Sequence, residues 1–429
     1  MSAKAKDGAI TEKENTMHLG YATALICGAS FFSYLDRAGL SILVEPIKAD
    51  LGLSDAQIGL LTGFAFSLTY ALFGIPLARL TDTGNRARLL AICLAVWSIA
   101  TAVAAAATNF LQLMLTRVVV GIGEAGGFPA SNSLIGDLYT PEQRTRGMSW
   151  MQMSIAAGSW LGLIAVGFVA EAFGWRFAFI AMGAPGILLA GVIWLTMKEP
   201  ERGRFATNDS SAQPPADWVA SIRAVFARKT VQHLLFGFAV VSFCGSSTNA
   251  WLGAFFMRSH DFDVAGVGLL LGTAGGIGAM AGAALGVLAG PKLIKRDRRW
   301  EIWLPAGGFA ALVPIYLCML LVSSIEIATF SLGLAVLIFN LTSGFVLSSL
   351  QSVLPAAIRG MGVAMLMLAV NLIGGGAGPL LVGILSDYLA PVYGADGLRY
   401  SLVAGISLMG WGVIHFWISS RYYRQELVS

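Results

Sequence analysis

Charged residues are scarce in this 429-residue chain: they make up 12% of it, about half the roughly 25% of an ordinary soluble domain. A soluble enzyme of this length would lack the polar atoms to cover its surface, so that class is excluded. Histidine is scarcer still. His18, His233, His260 and His415 are scattered, without the short spacing of a zinc site. The four cysteines, Cys27, Cys93, Cys244 and Cys318, lie far apart inside apolar runs, which argues against a disulfide framework or a thiolate cluster. No Walker lysine follows the glycine-rich runs, and no Gly-x-Ser-x-Gly elbow sits in a strand–turn–helix setting. The chain is therefore expected not to be an enzyme and to need no cofactor, metal or nucleic acid.

What the chain has instead is long apolar runs. Hydrophobic residues make up 56% of it, and the mean hydropathy is +0.72. The runs fall near 19–44, 57–78, 89–108, 110–137, 147–170, 176–196, 231–257, 264–290, 300–323, 326–354, 360–386 and 399–420. A crossing needs about 20 apolar residues, so this pattern predicts an all-α membrane protein with twelve transmembrane helices. Nothing in it alternates as the strands of a membrane barrel must.

Placing the N-terminus in the cytoplasm puts 22 of the 28 Lys and Arg residues on the inner side, with Lys48, Arg176, Arg258 and Arg399 outside. That bias favours cytoplasmic termini and an even number of spans. The expected plan is a tail 1–18, six helices within 19–196, a cytoplasmic linker 197–230, six more within 231–420, and a tail 421–429. The first run is too long for a cleaved leader, so it is expected to stay as the first span. The linker carries Pro200, Pro214 and Pro215, then Trp218–Arg228, a stretch that reads as an amphipathic surface helix. Multi-pass insertion in a cell membrane, a bacterial inner membrane, is expected, with a monomer as a sufficient unit.

Four charges interrupt the apolar runs: Asp36 and Arg37 in the first span, Arg117 and Glu124 in the fourth. Ionised groups facing lipid are costly, so these must face the protein interior or a wet cavity. Asp36 and Arg37 point about 100° apart, while Arg117 and Glu124 share a face about 10 Å apart along the axis. Arg117 is expected to neutralise Asp36, with Glu124 deeper inside. Asp36, Glu124 and Arg117 are thus expected to take part in proton coupling, because protonation that differs between two conformations biases their equilibrium. A static ion-pair network is the alternative. Tyr34, Arg37, Arg117, Glu124, Asn132, Trp150, Gln152, Asn249, Asn340 and Asn371 are the expected substrate contacts.

Glycines crowd around Glu124 (Gly121, Gly123, Gly126, Gly127), through 266–286, and at 374–378. Such runs permit close helix approach. Asp82, Arg86 and Arg88 lie in the turn after the second span, and Arg144 and Arg146 in the turn after the fourth. These five are the expected cytoplasmic gate.

Several local runs carry a family resemblance: Phe32-Ser-Tyr-Leu-Asp36-Arg37, Leu53-Ser-Asp-Ala-Gln-Ile-Gly59, Arg117-Val-Val-Val-Gly-Ile-Gly-Glu124, Gly174-Trp175-Arg176 and Lys198-Glu-Pro-Glu-Arg-Gly203. In this order the chain resembles the major facilitator superfamily, especially its spinster-like branch. The loop Ala78–Arg88 departs from that family's pattern: Ala78 replaces a glycine and Thr83 an arginine, leaving Arg86 or Arg88 to serve Asp82. The resemblance implies two pseudosymmetric six-helix bundles, alternating access, and roles for the four intramembrane charges. It also implies an amphiphilic solute, a lysophospholipid or sphingolipid-like molecule. The second reading is a proton-coupled symporter of small organic anions such as sugar acids. The lipid bilayer, the solute and protons are the expected partners.

Overall fold

A computed structural model describes residues 3–205 and 218–428, with side chains from Leu19 onward and Ala356 excepted. The expected tail 1–18, as far as its side chains are concerned, and the Pro214–Pro215 part of the linker lie outside the described residues. Every described element is helical. The first group is α1 (Ala3–Ile42), α2 (Val44–Leu51), α3 (Asp55–Gly59), α4 (Ala65–Thr83), α5 (Arg86–Ala104), α6 (Phe110–Leu138) and α7 (Arg144–Thr196). After the linker come α8 (Trp218–Phe226), α9 (Lys229–His260), α10 (Val264–Leu270), α11 (Gly276–Arg296) and α12 (Trp300–Leu321). The last are α13 (Ile325–Ser352), α14 (Ala356–Ala369), α15 (Gly378–Tyr393), α16 (Asp396–Ser407) and α17 (Met409–Glu426).

Among the described residues nine helical stretches are long and apolar enough to cross a membrane. The protein is thus an all-α, multi-span membrane protein. The helices α1 and α6, which carry Asp36, Arg37, Arg117 and Glu124, are not in that set. One crossing takes about 20 apolar residues, so the 53 residues of α7, which cover the expected fifth and sixth spans, are two helices that meet at a kink. The kink is at Gly174, whose φ of 82° is open to glycine without strain.

The chain forms two compact units that do not follow its linear halves. The first comprises Met1–Gly39, Thr69–Gly162 and Phe173–Ser211; the second comprises Leu40–Leu68, Leu163–Ala172 and Ala212–Ser429. Within the first, α5 and α6 pack over their length. Leu90, Leu94, Trp97, Val120, Leu134 and Phe179 are buried there. A methyl on Gly123 would meet the Trp97 amide at 2.9 Å and the Cys93 carbonyl at 3.1 Å, so glycine sets that approach.

Within the second unit, α9 packs on α17, and α13 packs on α11 and α12. Phe309 and Phe416 meet at 5.2 Å between centroids, and the buried Trp251 indole donates to the Pro379 carbonyl at 3.0 Å. Segment 40–68 joins this unit by backbone proximity: a methyl on Gly63 would meet the Gly375 and Gly376 carbonyls, each at 2.8 Å. Both partners there are π-helical turns, Leu60–Phe64 and Val370–Ala377, which widen the helix locally. The linker helix α8 buries Ser221 and Val225 and leaves Trp218 exposed.

Candidate functional site

The first unit gathers Asp36, Arg37, Arg117 and Glu124 into two ion pairs. Arg117 Nη1 donates to Asp36 Oδ2 at 3.2 Å, and both side chains are buried. Thr101 Oγ1 donates to the other Asp36 oxygen at 2.9 Å, tying α5 into the pair. Arg37 Nε lies 2.5 Å from Glu124 Oε2, which also accepts from Ser33 Oγ at 3.0 Å. Adjacency on α1 explains this division: the two neighbours leave the helix in different directions, so each finds its own partner on α6.

The two pairs differ in exposure. Both members of the Asp36–Arg117 pair are shielded, whereas Arg37 keeps 27% of its side chain exposed while Glu124 has 0%. The Arg37 guanidinium also lies over the rings of Tyr34 at 5.2 Å and Tyr70 at 4.9 Å, and that of Arg117 over Phe179 at 5.4 Å. Glu124 Oε1 and the Nε and Nη2 atoms of Arg117 are buried with no hydrogen-bond partner among the described residues. A buried carboxylate oxygen and two guanidinium donors left over from pairing are what a proton or an anionic group would use.

The remaining expected contacts are more dispersed. Asn132, Trp150 and Gln152 are exposed residues of the first unit. Asn249, Asn340 and Asn371 belong to the second. Asn340 and Asn371 donate to the carbonyls of Val336 and Met367, four residues back on their own helices, so part of each amide serves local structure.

The expected gate residues also separate. Arg86 is buried and does not serve Asp82. It donates to Asp137 at 2.5 Å, to Glu199 at 2.6 Å and to the Pro200 carbonyl at 3.0 Å. The backbone carbonyls of Thr81, Asp82 and Gly84 are taken by Arg202. Arg88 lies over the Trp194 ring, Arg144 donates to the Gly136 carbonyl at 3.0 Å, and Arg146 is exposed. In the turn between α6 and α7, Glu142 is held below the usual carboxylate range by its own backbone amide and the Thr140 hydroxyl.

A second charged cluster, without a role in the sequence reading, lies in the second unit. Asp55 is buried and accepts from Arg258, Lys48 and Ser386. Arg258 also holds Glu45 at 2.5 Å. Asp387 accepts from the Asp55 and Ala56 amides at 2.9 and 2.8 Å, satisfying orphan donors at the start of α3. The Ser54/Gln57 capping box was the available signal for that helix start. Asp387, 332 residues away from Asp55, had no local signal.

The chain as a whole is similar to known proteins. The model of the Major Facilitator Superfamily matches residues 26–379. The chain is 32% identical over 413 residues to an MFS-type efflux pump of Mycolicibacterium smegmatis, covering 95% of this chain and 94% of that protein. It is 26% identical over 412 residues to protein spinster homolog 1 of Bos taurus, covering 90% of this chain and 78% of that one. Among solved structures, a bacterial homologue of the human lysosomal transporter Spinster, inward-facing and unoccupied, superposes with a TM-score of 0.88. Identity there is 28%, over 96% of this chain and 99% of that one.

Proposed function

Because the chain belongs to the Major Facilitator Superfamily and is a secondary transporter related to its spinster branch, we propose that it moves an amphiphilic organic solute by alternating access, coupled to protons. Twelve crossings in two pseudosymmetric six-helix bundles, 19–196 and 231–420, fit the nine apolar stretches together with the broken α7 and the charged α1 and α6. The Lys and Arg bias supports cytoplasmic termini in a bacterial inner membrane.

The observation that carries the coupling is the Arg37–Glu124 pair: a fully buried carboxylate whose cation is partly exposed. Ionised Glu124 holds Arg37. Protonation neutralises Glu124 and lets the Arg37 guanidinium take an anionic group on the solute, so that the occluded state holds a balanced pair. Deprotonation on the other side restores the pair and expels the anion. The Asp36–Arg117 pair stays closed and keeps α1 registered on α6. The Asp55–Arg258 cluster holds segment 40–68 on the second unit at the outer end, and the cycle opens it when the solute faces outward.

The test is flux into vesicles containing the purified protein, comparing lysolipids with sugar acids, with and without a pH gradient. Gradient-dependent lysolipid flux is expected. Flux of small sugar acids alone would replace the substrate class, and gradient-insensitive flux would replace coupling by facilitated diffusion.

A further inference from the structure

The first unit contains a cavity of about 500 Å³ lined by residues of α1 and by residues on both sides of the turn entering α7, among them Thr23, Cys27, Tyr139, Arg146 and Trp150. A smaller cavity of about 260 Å³ continues along α7 past Ser149 and Met153. Both are lined by Arg146 and Trp150, so the two form one slot. The spacing of Arg146, Trp150 and Met153, four and then three residues, places them on one face of α7. Thr23 and Cys27 share a face of α1 in the same way. The larger cavity alone falls within the roughly 300–1,000 Å³ range of small-molecule sites.

The slot's chemistry is divided along its length. The Thr23 hydroxyl donates to the Leu19 carbonyl at 2.8 Å, so the Tyr139 hydroxyl, also at 2.8 Å, must be the donor between the two. The Ser149 hydroxyl likewise donates to the Thr145 carbonyl at 2.8 Å, so the three hydroxyls of the slot are spent within the protein and, Gln143 and Arg146 apart, the lining presents mainly carbon. At the rim Arg146 is exposed, and among the described residues no carboxylate lies within ion-pair distance of it. Trp150, 45% exposed, stands one helical turn away. An apolar trough with an exposed guanidinium and an indole at its edge matches a single hydrocarbon chain bearing an anionic head.

We propose that this slot is a docking station for a single-chain anionic amphiphile, separate from the Asp36–Glu124 machinery, with the headgroup on Arg146 and the tail between α1 and α7. This gives Arg146 a headgroup-binding role in place of the gate role expected from its loop. The inference rests on the amphiphile reading above and names its first contact point.

Cys27 lines the slot and is a free thiol, while the exposed Cys318 in the second unit provides an internal reference. The experiment is site-resolved maleimide alkylation of the full chain in lipid nanodiscs. The additions are lysophosphatidylglycerol, a monoacylglycerol of the same chain length, or glycerophosphate. Lysophosphatidylglycerol is expected to slow alkylation of Cys27 and leave Cys318 unchanged, the neutral amphiphile to protect less, and the tail-less anion not at all. In Arg146→Gln the protecting concentration of lysophosphatidylglycerol should rise about tenfold, the loss of one charge-assisted contact. Ala24→Cys, in the same lining, is a second reporter should Cys27 react too slowly to time.

Glu124→Gln should keep the protection while losing coupled flux, which separates failure of the slot from failure of the transport reading. Unprotected reporters in the wild-type chain, equal protection in Arg146→Gln, or protection by glycerophosphate alone would overturn the proposal.

Discussion

Arg258 grips Asp55 through two guanidinium nitrogens, each 2.7 Å from a different carboxylate oxygen. This two-pronged geometry is stronger and more directional than a lysine contact. It joins the end of α9 to the start of α3, and Ser386 and Asp387 of α15 complete the clamp. Arg258→Met leaves Asp55 buried with one cation fewer. Labelling of an Ala56→Cys reporter by a membrane-impermeant maleimide from outside should then rise severalfold. Unchanged labelling would show that close glycine packing alone holds this end.

Arg86 makes a different prediction. Its guanidinium satisfies two carboxylates, Asp137 and Glu199, and is itself buried. Arg86→Met should destabilise the first unit by about 3–5 kcal/mol, the usual cost of stripping one partner from a buried charged network. The double change Arg86→Met with Glu199→Gln should recover part of that loss. Thermal unfolding in detergent checks both, and equal melting of the single variant and the wild type would contradict the network's structural weight.

At Gly123 two helix backbones approach closely. An added methyl would press on the Trp97 amide and the Cys93 carbonyl, and rigid backbone cannot yield as a side chain can. Gly123→Ala is expected to cost about 1–3 kcal/mol, read as a lower unfolding temperature. Gly136→Ala, with open space around its Cβ position, should be close to neutral.

The Asp36–Arg117 and Arg37–Glu124 pairs should respond differently to neutralisation. Asp36→Asn strands the buried Arg117, so it is expected to lower the melting temperature markedly. Glu124→Gln takes the carboxylate from Arg37, which is partly exposed and also lies over the Tyr34 and Tyr70 rings, and should melt near the wild type. Comparable losses for both would remove the distinction between a fixed pair and a working one.

Much of this is legible in the amino-acid sequence. Hydropathy located the apolar helices, because lipid demands long runs and penalises charge. The rarity of charge in those runs singled out Asp36, Arg37, Arg117 and Glu124, and electrostatic economy pointed Arg117 to Asp36. Arg37 as the partner of Glu124 was less accessible, since it depends on how α1 lies against α6. The partners of Arg86 were missed because Asp137 ends one helix and Glu199 follows another, far apart in the chain. The Asp55 cluster was missed for the same reason, and Asn340 and Asn371 illustrate the converse: polar residues in apolar helices whose amides turn back to their own backbone.

The most direct test of the central claim is solute accumulation driven by a pH gradient in vesicles carrying wild-type protein or Glu124→Gln, with solute exchange at equal pH measured alongside. The coupling account expects Glu124→Gln to retain exchange while its gradient-driven accumulation falls to that of protein-free vesicles. Accumulation at the wild-type level in Glu124→Gln would contradict it.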